Sequence, residues 1–111
     1  MKYHVNGRKI ELSSGKSYTF EYKVREAVEM ERAIIVCVEV PENRMLEDNI
    51  YAIGHDGELL WQISPTKHAM KNSFYVSVSK VGNLIRAFNF DGMVYELDPR
   101  NGKIVKQYLG K

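Results

Sequence analysis

The chain has 111 residues, 44% of them hydrophobic and 27% charged, a length and balance that suit one globular domain able to fold without a metal or disulfide staple. Its formal net charge of +2 supplies no field that would draw in nucleic acid or an anionic membrane. The single cysteine, Cys37, excludes an internal disulfide and fits a reducing compartment.

Met1 is followed by Lys2-Tyr3-His4-Val5-Asn6-Gly7, without the apolar run of about 7–15 residues that a secretory signal requires. Residues 33–38 are the longest apolar stretch, far below the ~20 residues of a membrane helix. The expectation is a cytoplasmic protein with no membrane partner.

Turn signals then divide the chain at short intervals. Asn6-Gly7 separates Tyr3-His4-Val5 from residues 8–12, and Asn-Gly readily adopts the positive φ values of a type I′ turn, which predicts an N-terminal hairpin. Residues 13–17 read as a loop. From Tyr18 the pattern has period two: Tyr18, Phe20, Tyr22, Val24, Val28 and Met30 share one parity, and Thr19, Glu21, Lys23 and Arg25 the other. This predicts a long or bent strand. A short helix over residues 23–32, rich in good helix formers, is the alternative.

Residues 33–40 are β-branched and apolar on both parities, as in a strand covered on both faces. Pro41 ends that run, and a polar loop follows to Asp48. Residues 49–54 and 58–64 flank Asp56-Gly57, a second hairpin signal. In the last third, residues 74–80 and 84–90 flank Val81-Gly82-Asn83, Asp91-Gly92 turns into residues 93–98, and Pro99-Arg100-Asn101-Gly102 turns into residues 103–109. Four strands joined only by tight connections predict an antiparallel meander.

Two of these segments resemble each other. Ile50-Tyr51-Ala52-Ile53 leads through Gly57 to Glu58-Leu59-Leu60-Trp61, and Val94-Tyr95-Glu96-Leu97-Asp98 leads through Gly102 to Lys103-Ile104-Val105. The spacing of about 45 residues is that of a four-stranded propeller blade. The pattern resembles the blade repeats of quinoprotein-type β-propellers, with Lys106 where a blade would carry Trp in the second copy. The resemblance runs from Val24 onward. It implies blade-like sheets and says almost nothing of function, because blades are scaffolds. Propellers usually close with 4–8 blades, so two imply either a sandwich of sheets or a unit completed by self-association. No cofactor-binding set of that family carries over to this chain.

Residues that could carry chemistry are sparse. Ser14-Gly15-Lys16-Ser17 has Ile10 where a phosphate-binding loop needs its first Gly, and it lacks a βαβ context. His4, His55 and His68 have no metal-ligand spacing, and turn chemistry alone explains Asp56-Gly57 beside His55. Cys37 lies in the most apolar run, where burial makes a poor nucleophile. Glu29, Glu31, Glu39, Glu42, Glu47 and Asp48 are scattered, with no acid–base pair among them. Tyr18, Phe20 and Tyr22, and later Phe74, Phe88 and Phe90, are aromatics of the kind that stack nucleobases, but no basic cluster accompanies them and core packing is the expectation. Trp61 is expected to be a core anchor whose N–H meets a carbonyl.

These readings converge on an all-β fold. Residues 1–17 would form a hairpin and loop, and residues 18–64 and 73–109 two four-stranded antiparallel blade-like meanders, packed as a sandwich or partial propeller. The expected function is that of a non-enzymatic protein-binding or accessory module, of immunity-like type, with no cofactor, metal or nucleic-acid partner. The alternative is a small-ligand or oligosaccharide binder that uses sheet-face aromatics. A homodimer is expected, with Tyr18, Phe20, Trp61 and Phe74 at the interface.

Overall fold

A computed structural model describes residues 3–68 and 72–110. Among them the chain forms eleven strands and no helix: β1 (Tyr3–Asn6), β2 (Lys9–Leu12), β3 (Ser17–Thr19), β4 (Val24–Glu29), β5 (Ile34–Val38), β6 (Ile50–Ile53), β7 (Leu59–Gln62), β8 (Tyr75–Val81), β9 (Leu84–Asn89), β10 (Met93–Leu97) and β11 (Ile104–Leu109). Within each of three sheets every strand pairs antiparallel with its neighbour in sequence, giving a three-stranded sheet β1-β2-β3 and two four-stranded meanders, β4-β5-β6-β7 and β8-β9-β10-β11. The all-β expectation, with an N-terminal hairpin and two meanders, holds.

Local chemistry explains most of the turns, with one adjustment. In the first hairpin Asn6 pairs with Lys9, so the two-residue loop is Gly7-Arg8. Gly7 has φ +62° and Arg8 does not have a positive φ, which is the φ signature of a type II′ turn with Gly at its first central position. The signal lay in Asn6-Gly7, but the turn sits one residue later.

The long strand expected from Tyr18 is two strands. β3 pairs with β2, placing Tyr18 opposite Ile10 in the N-terminal sheet. The backbone then crosses over, with Phe20 N–H donating to Arg8 O (2.7 Å) and Val24 N–H to Gly7 O (2.9 Å). Residues 24–29 are strand, not helix. A bulge shifts the β4–β5 register between Val24 and Glu26, so the alternation breaks there. Val24 and Ala27 consequently pack toward the N-terminal sheet, whereas Val28 and Met30 pack toward the C-terminal one.

The middle sheet is the centre of a three-layer stack. β5 is buried along its whole length, as its two-sided apolar sequence predicts. Ile34, Val36 and Val38 meet Ile10, Leu12 and Phe20 on one side. Ile35 and Cys37 meet Tyr75, Val78, Ile85, Ala87 and Tyr95 on the other. Each fully buried Ile or Val contributes about 1.5–3 kcal/mol, so the two cores, which share one sheet, tie all three layers together.

Polar pins fix how the middle and C-terminal sheets sit. The fully buried Asn49 side chain donates from Nδ2 to Val38 O (2.9 Å) and Tyr75 O (2.8 Å), and its Oδ1 accepts from Tyr75 N–H (2.7 Å). The Glu26 carboxylate accepts from Val78 N–H at 2.7 Å. Trp61 donates from Nε1 to Pro99 O at 2.9 Å, as expected of a core anchor. Its indole also lies against Gly102, where an added Cβ would stand 2.8 Å from Cδ2. Gly57 is crowded in the same way by the N-terminal sheet, with an added Cβ 3.1 Å from Lys16 Cβ.

Candidate functional site

The residues singled out by sequence scatter through the stack. Cys37 is fully buried, with Sγ 3.5 Å from Tyr75 O, and burial pushes its thiol up to about 12. His55 lies exposed in the β6–β7 turn, and Ser14 Oγ donates to its carbonyl at 3.0 Å. Of the four expected interface residues, Phe20 is buried beneath the N-terminal sheet and Tyr18 packs on it, their ring centroids 4.8 Å apart. Trp61 is engaged between the middle and C-terminal sheets. Phe74 alone stands on an outer face.

An imidazole–carboxylate pair exists, but between residues far apart in sequence. His68 Nδ1 lies 2.8 Å from Asp91 Oδ2, and the Tyr95 hydroxyl donates to the same oxygen at 3.1 Å. Both side chains of the pair are 1% exposed. The ring edges of His68, Tyr75 and Tyr95 meet one another nearly at right angles. Burial, reinforced by the hydrogen bond to Asp91, pushes the Tyr95 hydroxyl up to about 12; burial, with the neighbouring Tyr95, also raises Tyr75. Among the described residues, His68 Nε2 and the Tyr75 hydroxyl are buried without hydrogen-bond partners. No Ser or Cys hydroxyl or thiol meets the imidazole among the contacts of the described residues. The cluster's evident effect is to fasten the segment after β7 to the β9–β10 turn. No group of three His, Cys, Asp or Glu able to hold a metal ion occurs among the described residues.

The outer face of the C-terminal sheet differs in character from the other surfaces. Strand alternation puts Tyr75, Ala87 and Tyr95 inward, so Phe88, Phe90 and Val94 point outward. Phe74 and Phe90 stack at 5.3 Å with planes 14° apart. Phe90 remains 56% exposed and Phe88 37%. Val94 pairs with Phe88 on one side and Tyr108 on the other, forming an apolar row. Beside it runs a polar row, Arg86–Glu96–Lys106. There Glu96 Oε2 accepts from Tyr108 (2.7 Å) and Arg86 (3.4 Å); the Tyr108 bond leads in holding the carboxyl below its usual range. The N-terminal sheet is unlike this. With Ile10 and Leu12 in the core, its outer face carries His4, Asn6, Lys9 and Glu11.

A concave feature lies at the end of the stack where the β4–β5, β8–β9 and β10–β11 turns converge. It is a cleft of about 600 Å³ between the two meanders. Met30, Ala33, Leu60, Leu84 and Pro99 supply apolar walls, and Arg32, Lys80 and Arg100 stand among them.

Residues 1–109 match the model of a family described as Domain of unknown function (DUF7957). The chain belongs to this family. No curated protein matches this chain. Among solved structures, BamB from Moraxella catarrhalis superposes with a TM-score of 0.67 at 12% identity, over 99% of this chain and 35% of BamB. The computationally designed Ika8 protein superposes with a TM-score of 0.61 at 10% identity, over 98% of this chain and 36% of the design. The chain thus spans about a third of the length of either. At these identities the likeness establishes a β-propeller-like fold relationship for this DUF7957 chain.

Proposed function

We propose that this DUF7957 chain is a non-enzymatic protein-binding module whose recognition surface is the outer face of its C-terminal sheet. The observation that carries the reading is the exposed aromatic group on that face, Phe88 with the stacked Phe74–Phe90 pair, beside a fixed row of charge. Exposed aromatics beside ordered polar groups are what protein interfaces use as anchors and rim. The cleft at the end of the stack has no aromatic lining, which disfavours a sugar site built on stacked rings.

The two meanders are read as successive blade-like repeats. Trp61 of the first rests on the Gly102 turn of the second. Lys106, at the corresponding place in the second, reaches back over Tyr108 with Nζ 5.5 Å from the ring centroid. The facing surfaces of the two meanders share one buried core, which supports reading the outer face of the second as the surface offered to a partner protein.

The test is comparative capture from the host's own extract with the wild-type chain and a Phe88→Ser/Phe90→Ser variant as baits, quantified by mass spectrometry. Both residues are exposed, so the variant retains its fold, as circular dichroism would verify. The proposal expects a protein held near stoichiometrically by the wild type and depleted about tenfold or more by the variant, an effect of hot-spot size. Identical sets on both baits would refute it.

A further inference from the structure

The end cleft carries an inference independent of the aromatic face. Its apolar walls come from both meanders: Met30 and Ala33 beside the β4–β5 turn, Leu60 from β7, Leu84 from β9. Leu60 is there because of a bulge. Ala52 pairs with Trp61 and Ile53 with Leu59, so Leu60 is the extra residue that the register leaves without a partner. A site of about 600 Å³ is the size used for small organic ligands, which fill such walls by burying apolar surface.

The charges around it are unequal. Arg100 is committed to Asp98 through two parallel bonds, Nε to Oδ1 at 3.1 Å and Nη2 to Oδ2 at 2.7 Å. Asp98 and Arg100 therefore cancel. Among the described residues, the side chains of Arg32 and Lys80 have no hydrogen-bond or salt-bridge partner within the chain, and Glu31 is the one other charged lining residue. Lys80 pairs with Ile85, whose side chain is in the core, so its own side chain leaves the sheet on the face turned toward the cleft. Two uncommitted cations against one carboxylate leave a single positive charge beside an apolar trough.

We infer that the cleft between the two meanders binds an amphipathic monoanion, a small carboxylate whose apolar tail lies on Met30, Leu60 and Leu84 and whose head pairs with Arg32 and Lys80. The tail supplies the burial and the head the specificity, since an ionised acceptor bonds a cationic donor more strongly than a neutral one does. Trp61 makes the site observable: it is the sole tryptophan, and its Nε1 holds the carbonyl of Pro99, one of the walls.

Octanoate, kept below its micellar range, serves as the probe, with 1-octanol as the uncharged match. Amide chemical shifts and tryptophan emission are followed on the wild-type chain and on an Arg32→Glu/Lys80→Glu variant. Both substituted residues are exposed, and an unchanged urea midpoint would show the variant folded. The expected result is saturable shifts confined to residues 30–33, 80–84 and 98–100. Octanoate should bind about tenfold tighter than octanol and lose about that factor in the variant, the equivalent of one modest charge pair. Absence of saturation, shifts centred on Phe88 and Phe90 instead, equal binding of the alcohol, or an unaltered variant would each overturn the inference.

Discussion

Replacing Gly102 with Ala tests the contact that joins the two meanders. The residue has φ +74°, a conformation that costs a non-glycine residue about 1–2 kcal/mol. A Cβ there would also run into the Trp61 ring, at 2.8 Å from Cδ2 and 2.9 Å from Cζ3. Overpacking of that kind typically costs about 1–3 kcal/mol more, because the indole is tethered by its bond to Pro99 O and cannot simply swing away. Gly102→Ala should therefore destabilise by about 2–5 kcal/mol, the sum of these two costs. Gly92 provides the control, since its φ is +89° and an added Cβ would meet nothing within 4 Å. Gly92→Ala should show the conformational cost alone, about 1–2 kcal/mol. Urea unfolding followed by far-UV circular dichroism measures both without relying on the tryptophan signal. A double-mutant cycle with Trp61→Ala should show the two sites strongly coupled. Equal losses for Gly102→Ala and Gly92→Ala would refute the argument, because the Trp61 contact would then contribute nothing.

Cys37 in the folded chain should resist a thiol reagent at pH 8 and react at the rate of unfolding, because burial pushes the thiol up to about 12 and removes access. Its replacement by Ser should cost about 1–3 kcal/mol, read from the urea midpoint. Asn49→Ala leaves Val38 O and both backbone groups of Tyr75 without these partners, and should cost about 2–5 kcal/mol in the same assay. Asp98, held low by the Arg100 guanidinium and then by the Arg100 backbone N–H, should titrate by NMR near its folded value of about 2 rather than 3.8. Its depressed folded value makes the contribution to stability fully present above the unfolded value and lost as pH falls from about 4 through about 2, and Asp98→Asn should remove that part of the pH dependence.

Much of the architecture was legible because turn and strand signals are local. Gly7, Gly57, Gly82, Gly92 and Gly102 all have positive φ at hairpin turns, and the two-sided apolar run around Ile34–Val38 is the central strand of the stack. Trp61 met a carbonyl as its amphipathic ring requires. What failed depended on long-range pairing. Nothing in the alternation of Tyr18, Phe20 and Tyr22 says that β3 joins β2, since the pattern fixes which face is apolar and not which strand lies alongside. The bulge at Arg25 cannot be seen in a period-two count, and it reverses which neighbour Val28 faces. The His68–Asp91 pair joins residues 23 apart through the inter-sheet connection, and no spacing rule relates them. The cleft was likewise hidden, because its walls come from three separate turns and from Leu60 of β7 and Leu84 of β9. The available signals were Leu60 at an interrupted alternation and Lys80 on a core-facing parity.

The most direct test of the binding account is an amide correlation spectrum of the isotopically labelled chain, recorded in buffer and then in the host's own extract. A partner on the open face should selectively broaden or shift the signals of Phe74, Phe88, Phe90 and Tyr108. Those of Lys9 and Glu11, on the polar face at the opposite end of the stack, should keep their positions. An unchanged spectrum, or changes confined to the N-terminal sheet, would contradict the claim that the C-terminal sheet presents the recognition surface.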